Sequence, residues 1–477
     1  MFRASTLILV GTVLLSQAAW AQPYERYQQS ILPETRYWYN TTETGGLYPI
    51  VQDAKLGFID STGRVIVPPT YDDGGYFHQG RAYVSRSGKF GFIDTLGRVV
   101  VPPKYDTVSD FWEGLAMVAR QGRTGYVNLA GKEVIAPQFE RGDAFSESLA
   151  AVRLQGKWGF INHSGRVTIP PRFTEPAYFW QGIAAVRLGN DRYTVIDRTG
   201  TQLVEPDYFS AFQQTACVIL MSSDSTGGHE HFFNAVTRRL TDCVVDRAMS
   251  FYEGFGQIML KGKRGFVDSC GEFAVQPVYD AVGSFSDSRV AVNIGATVDP
   301  THPVRPKGGK WGIIDRTGKV IVELRNDEVG DFGDGIASVR CNGRVSYVDT
   351  LGRTALTLDS TITWAGTFHG GRAGVGVGGH YDSTGRLVGY KHGYIDRSGR
   401  LAIAARFDDG GSFKEGLAQV ELSGKYGYID TTGKSVVEPT LKEACDFKGQ
   451  LARVETDQGT AYIDHTGKIV WQGRGSQ

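Results

Sequence analysis

An excess of charge of either sign is missing from this sequence: 51 Lys and Arg balance 51 Asp and Glu. Nucleic acids and anionic membranes recruit proteins through surplus basic residues, so neither is an expected partner. Cysteine is scarce and odd in number, 5 in 477 residues. An odd set cannot all pair within one chain, which excludes a disulfide-stapled scaffold. Past the first residues no run approaches the roughly 18 apolar side chains of a membrane-spanning helix, and no helical period recurs in the body of the chain. What is plentiful is Gly, with 62 residues, and aromatic side chains, at 12%. That pairing fits a turn-rich β protein, and 41% hydrophobic residues suffice for a core.

The N-terminus reads as an export signal. Met1-Phe2-Arg3 supplies a positive start, Leu7 to Leu15 a short apolar run, and Ala19-Trp20-Ala21 a small-x-small cleavage site. Residues 1–21 are therefore expected to be removed after Ala21. The mature chain would be periplasmic or secreted, with no integral membrane segment left.

The body is a repeat. The string Gly-aromatic-Ile/Val-Asp/Asn-x-x-Gly starts at Gly57, Gly91, Gly125, Gly159, Gly265, Gly312, Gly393 and Gly427, with degenerate copies from Thr194, His231, Ser346 and Ala461. Seven of the eleven spacings are 34 residues, and the others are 35, 37, 47 and 47. The fourth position is Asp or Asn in all twelve copies; the seventh is Gly except at Thr237. An Asp or Asn side chain accepts from the backbone two residues on, and Gly tolerates positive φ, so the string encodes a strand entering a tight turn. In the fourth copy this predicts three strands: Leu149 to Leu154, Lys157 to Asn162 and Arg166 to Pro170. A Lys or Arg stands two residues before the string in ten copies, Lys157 and Lys310 among them. Along the middle strand Trp158 and Phe160 face one side, Gly159 and Ile161 the other. A further Phe, at nine positions from Phe77 to Phe447, is expected to plug the core between successive units.

Gly-Lys-Trp-Gly-Phe-Ile-Asn at 156–162 and Gly-Lys-Trp-Gly-Ile-Ile-Asp at 309–315 resemble the bacterial WG (or KWG) repeat. So do Pro-Pro-x-Tyr-Asp at 68–72 and 102–106, and Phe-x-x-Gly-Leu-Ala at 111–116 and 413–418. The resemblance spans roughly 47–472 and implies a β-repeat architecture without shared catalytic residues. Trp-Gly itself survives only at Trp158 and Trp311; Phe90, His392 and Tyr426 take the slot elsewhere. The expected fold is all-β: twelve tandem three-stranded meanders in an open, curved or superhelical array, with closed propeller-like rings as the alternative. The expected divisions are an extension at 22–46, a first sub-array at 47–190, an eroded and hinge-like stretch at 191–250, a second sub-array at 251–472, and a tail at 473–477. In the eroded stretch Thr237 would be strained in a left-handed turn, and Thr194 and His231 would hold the next sheet away.

The period breaks between the first and second strands of three copies, near Ser222–Glu230, Ala296–Gly309 and Gly378–Lys391. Insertions on one edge of a repeat array are where binding concentrates. They carry the candidate binding residues His302, Arg305, Tyr381, Arg386 and Tyr390, and weak metal candidates in His229, His231 and His380, since neutral imidazole is a metal ligand. His229 and His231, two residues apart, would share one strand face. No fixed ligand spacing accompanies them, so no metal or other cofactor is expected. Gly374 to Gly379 imitates a phosphate loop but sits at a strand position with no helix following. One pair among the three middle cysteines, Cys243, Cys270 and Cys341, is a candidate disulfide after export, and Cys217 with Cys243 is a candidate link across the eroded stretch. No nucleophile–base pair is visible, so a non-catalytic scaffold for a protein or an envelope polysaccharide is expected. The alternative is an envelope-acting hydrolase or metal enzyme built on the His-bearing loops.

Overall fold

The computed structural model describes residues 46–473, without 216, 226–228, 300–301 and 383–385; at 213, 250, 298–299 and 302–307 only the backbone is described. The signal segment and the extension up to residue 45 lie outside the described residues, as does the tail beyond 473. The described residues form 45 strands and no helix. They make twelve open antiparallel sheets that follow one another in tandem: ten of four strands, the first of three and the fifth of two.

The predicted meander is present. In the fourth sheet its strands are Leu149–Leu154, Lys157–Asn162 and Val167–Phe173. The turn between the second and third works as its composition requires. Asn162 Oδ1 accepts from the backbone N–H of Ser164 and of Arg166, each at 3.1 Å, and Gly165 takes φ +79°. A strand not visible in the sequence precedes the meander: Arg141–Ser146, which pairs Phe145 opposite Ala150 across a bulge.

Thr237 is not strained. In the sixth sheet the left-handed residue is Arg238, at φ +56°, because Asn234 Oδ1 accepts from Val236 and Thr237 and lengthens the turn by one residue. The Gly of the middle strand also has a different neighbour from the one expected. A Cβ at Gly159 would lie 2.6 Å from the Ile169 carbonyl oxygen and 2.7 Å from the Pro171 nitrogen, so the Gly makes room for a bulge in its own third strand, not for the next sheet. In all eight copies with Gly in this slot the third strand runs seven residues. With Ser346 or Ala461 there it shrinks to four, and with Thr194 it dissolves into isolated bridges. The sixth sheet keeps seven residues by moving the bulge one position on, between His231 and Phe233. Close approach by a neighbouring sheet occurs at the turn Gly instead: a Cβ at Gly131 would meet the Val100 carbonyl at 2.7 Å.

The described residues divide into two compact units: residues 71–261 with 266–273, and residues 46–70 with 262–265 and 274–473. The eroded stretch at 191–250 falls inside the first. In that unit the fourth sheet sends Trp158, Phe160 and Phe173 against Phe179, Ala184, Val186 and Ile196 on one side. On the other side Ile161, Val152 and Ala150 meet Tyr126, Ile135 and Phe139. Bulky faces thus stack on smaller ones, with the recurring Phe (Phe77, Phe111, Phe145, Phe179) almost wholly buried between them.

In four copies the Lys before the string has a structural reason. Lys89, Lys263, Lys310 and Lys391 each reach an Asp 17 residues later, at 2.5–2.7 Å. The other oxygen of that Asp accepts from the next hairpin tip, as Asp327 does from Asn342 at 2.8 Å. Lys310 and this backbone donor together hold the Asp327 carboxyl below the usual carboxylate range.

In the second unit the first and last sheets meet. Tyr48 Oη donates to the Lys448 carbonyl and accepts from Gln450 N–H, both at 3.0 Å, and a Cβ on Gly63 would strike the Val470 carbonyl at 2.0 Å. No strand is shared between these two sheets. All five cysteines are free, and burial pushes the Cys243 thiol up to about 12.

Candidate functional site

A four-stranded meander presents two edges. One carries the hairpin tips between each first and second meander strand, and these include the three insertions. Two of the insertions are not loops but arms that continue the sheet. Arg289–Asp299 pairs with His302–Asp315 out to Asp299 opposite His302, and Ala373–Tyr381 pairs with Leu387–Ile395 out to Tyr381 opposite Leu387. The backbone accommodates this through left-handed glycines: Gly295, Gly308 and Gly309 in one arm, Gly378, Gly379 and Gly389 in the other. The glycine-rich run 374–379 is therefore strand.

His302 and Arg305 lie on the first arm, where only the backbone is described. On the second arm Tyr381 is fixed from the neighbouring ninth sheet. The Arg340 guanidinium lies 4.7 Å from its ring centre, and Arg340 is itself held by Glu328 through Nε and Nη2 at 3.1 and 3.0 Å. Arg386 closes the arm's tip, its N–H donating to Asp382 Oδ1 at 3.0 Å. Tyr390 is half-buried; burial and the nearby Asp409 raise its phenol pKa, and Arg386 opposes them. His380 is exposed. The structure thus gathers Tyr381, Arg386 and Tyr390 on one arm.

His229 and His231 belong to the first unit and His380 to the second. His229 has φ +52° and precedes the strand Glu230–Asn234, so strand alternation does not govern the pair. Its Nδ1 donates to Asp224 Oδ2 at 3.0 Å. His231 turns inward, 3.3 Å from Ser223 Oγ and edge-on to the Tyr208 ring; burial, then His229, lowers its pKa. Between them Glu230 accepts from the Ala248 N–H, and burial raises its carboxyl to about 7. Among the described residues no group of three or more His, Cys, Asp and Glu is placed to hold a metal.

Two features escaped the sequence reading. A cleft of about 340 Å³ opens where the fifth sheet lacks a third strand, walled by Leu203, Val204, Tyr208, Arg238 and Leu240. The second feature lies on the opposite edge, at the turns that lead into each meander. The residue after the core Phe is Trp112 in the third sheet, Trp180 in the fifth and Tyr252 in the seventh, and these are 45%, 43% and 51% exposed. A signal was present in the sequence: an aromatic directly after a core aromatic cannot share its face.

A family model described as "WG containing repeat" matches residues 57–90, 90–122, 125–158, 158–190, 265–296, 311–344, 393–426 and 426–458. The chain belongs to this family. The eight matches coincide with the eight copies that keep Gly in the middle strand and omit those with Thr194, His231, Ser346 and Ala461. No curated protein matches the chain. Among solved structures it is similar to a eukaryotic initiation factor (14% identity, 67% of this chain and 93% of that one, TM-score 0.32). It is also similar to BamB from Moraxella catarrhalis (12%, 56% and 92%, TM-score 0.24). A third is an extracellular domain from B. thetaiotaomicron (10%, 91% and 77%, TM-score 0.24). Scores this low carry no argument about function.

Proposed function

We propose that this WG-repeat protein is an exported, non-catalytic scaffold, periplasmic or secreted, that binds a protein or an envelope glycan through its repeat surface and enlarged hairpin arms. The observation that carries the reading is the form of the insertions. They project from the sheet edge as hydrogen-bonded arms, with Tyr381 clamped by Arg340, so a partner meets a surface already ordered and little conformational entropy is lost on binding. Deleting 297–308 and 380–390 removes only the arms' outer pairs. The expected result is unchanged thermal unfolding with loss of partner capture in a cross-linked pulldown from envelope fractions. Undiminished capture by the deletion variant would refute the role of the arms.

A further inference from the structure

In the first unit the turns that lead into the meanders repeat a three-residue unit. His78-Gln79-Gly80, Trp112-Glu113-Gly114, Trp180-Gln181-Gly182 and Tyr252-Glu253-Gly254 all place an aromatic ring, a Glu or Gln and a Gly at the same turn. All four lie in the first unit. The corresponding turns of the second unit begin with Ser286, Gly333, His369, Lys414 and Lys448. The backbone makes the four alike: Gln79, Glu113, Gln181 and Glu253 have φ between +47° and +54°. Such strain at non-Gly residues is tolerated only where the surrounding structure fixes the turn.

The turns are also locked to their neighbours. Gln79 Oε1 accepts from Gly114 N–H at 3.0 Å, and Glu113 Oε2 accepts from Ser148 N–H at 2.9 Å and from His163 Nε2 at 3.1 Å. The His78 ring packs against Trp112 with centroids 4.5 Å apart, and its Nδ1 donates to the Phe111 carbonyl. This covers part of the indole while the rest faces solvent. Ser or Lys serves the fold at this position in other sheets, so the exposed rings are not there to build the sheet.

From this repeated ring-and-acceptor edge we infer a binding surface for a β-linked pyranose glycan; the inference rests on the scaffold reading above and names its ligand. A protein interface is organised around a contiguous, dried apolar centre. Here the three exposed rings come one to a turn, in the third, fifth and seventh sheets, and the turn of the fourth sheet between the first two carries Ser146. A pyranose in the all-equatorial form offers alternating faces of axial C–H groups to stack on flat rings and equatorial hydroxyls that donate to carboxylate and amide oxygens. The acidic residues at the turns, Glu113, Glu147 and Glu253, disfavour a polyanion.

The test uses the mature full-length chain with three probes: insoluble chitin, insoluble cellulose and peptidoglycan sacculi. Chitohexaose follows by Trp fluorescence. The wild type is expected to be retained on at least one probe, and soluble glycan is expected to quench emission from the two exposed indoles. Trp112→Ser/Trp180→Ser/Tyr252→Ser, which installs the side chain found at 146 and 286, is expected to unfold at the wild-type temperature and to bind at least tenfold more weakly. Lys414→Ser/Lys448→Ser is expected to bind as wild type. Retention of the wild type on none of the probes, or equal retention of the triple variant, would overturn the inference. A protein captured through the arms with no glycan retained would overturn it as well, while leaving the scaffold reading in place.

Discussion

Tyr462 donates its phenolic hydrogen to the carbonyl of Pro49 at 2.6 Å, across 413 residues of chain and within one compact unit. Between successive sheets the equivalent Tyr donates to the leading segment of the next sheet, a segment the three-stranded first sheet lacks. Tyr126 donates to Asp143 and Tyr394 to Gly411, each 17 residues on, at 2.7 and 2.8 Å. The first sheet therefore occupies, against the last, the place that a following sheet would occupy.

Replacing Tyr462 by Phe leaves the buried Pro49 carbonyl without its donor and should lower the stability of the second unit by about 1–3 kcal/mol, the cost of an unsatisfied buried polar group. Differential scanning calorimetry should show the transition of that unit moving down while the other transition stays. Two unmoved transitions would mean that the first sheet is held by its apolar contacts alone.

Gly427→Ala should be costly for a reason local to one sheet. Its Cβ would lie 2.5 Å from the Val437 carbonyl oxygen and 2.8 Å from the Pro439 nitrogen, both backbone atoms that can move only by giving up the bulge. A loss of about 1–3 kcal/mol is expected, as for overpacking elsewhere. Amide hydrogen exchange should show lost protection in Ser435–Leu441 and not in the sheets on either side.

A buried group in one unit and a half-buried one in the other respond oppositely to pH. His392 fills the slot that Trp158 fills in the fourth sheet. It is 2% exposed, with Nε2 unpaired among the described residues and Nδ1 3.9 Å from Asp409 Oδ1, and burial lowers its pKa despite that carboxylate. A lowered folded-state value means that the unfolded chain binds the proton more readily. Its contribution is full above about pH 6.5, the ordinary His value, and is lost as pH falls toward the folded value. Glu230 runs the other way. Raised from 4.5 to about 7, it contributes fully below 4.5 and loses that contribution as pH rises through 7. His231, also lowered, acts in the same hairpin with the sign of His392. Urea midpoints at pH 5.5 and 7.5 should show His392→Tyr reducing the acid loss in the second unit. Glu230→Gln should remove the alkaline loss in the first. Unchanged pH profiles in both variants would contradict these assignments.

The stretch 191–250 should be cut first by a protease at low dose, near 222–228, because the fifth sheet keeps only two strands and a cleft opens beside it. Two stable fragments are expected by mass spectrometry. First cuts spread over the other hairpin tips, with this stretch resistant, would show it to be as firmly packed as its neighbours.

The three-stranded meander was legible because the chemistry of its turns is local: Asn162 and Gly165 bond and bend within five residues. The leading strand was not legible. Arg141–Ser146 has no alternating pattern, and its pairing with Leu149–Leu154 is interrupted between Gly142 and Phe145, so only the tertiary partner makes it a strand. The arms were legible only as enlarged loops where the period breaks, because the pairing that continues the sheet through His302–Asp315 and Leu387–Ile395 is made across the hairpin and leaves no repeat signal. For the candidate site, the enlarged tips were visible as breaks in the period. The aromatic edge stayed hidden behind the core Phe residues, because Trp112 and Trp180 announce themselves only once Phe111 and Phe179 are known to point inward.

The contacts that join sheets are addressed by position in the repeat and not by who the neighbour is. Lys89, Lys263, Lys310 and Lys391 all find their Asp 17 residues on, whatever else differs between their copies. A copy of this kind duplicated whole therefore brings both the Lys for the sheet after it and the Asp for the sheet before it. The junction of Tyr462 with Pro49 obeys a different rule, since it couples the last described sheet to the first and must survive any change in copy number between them.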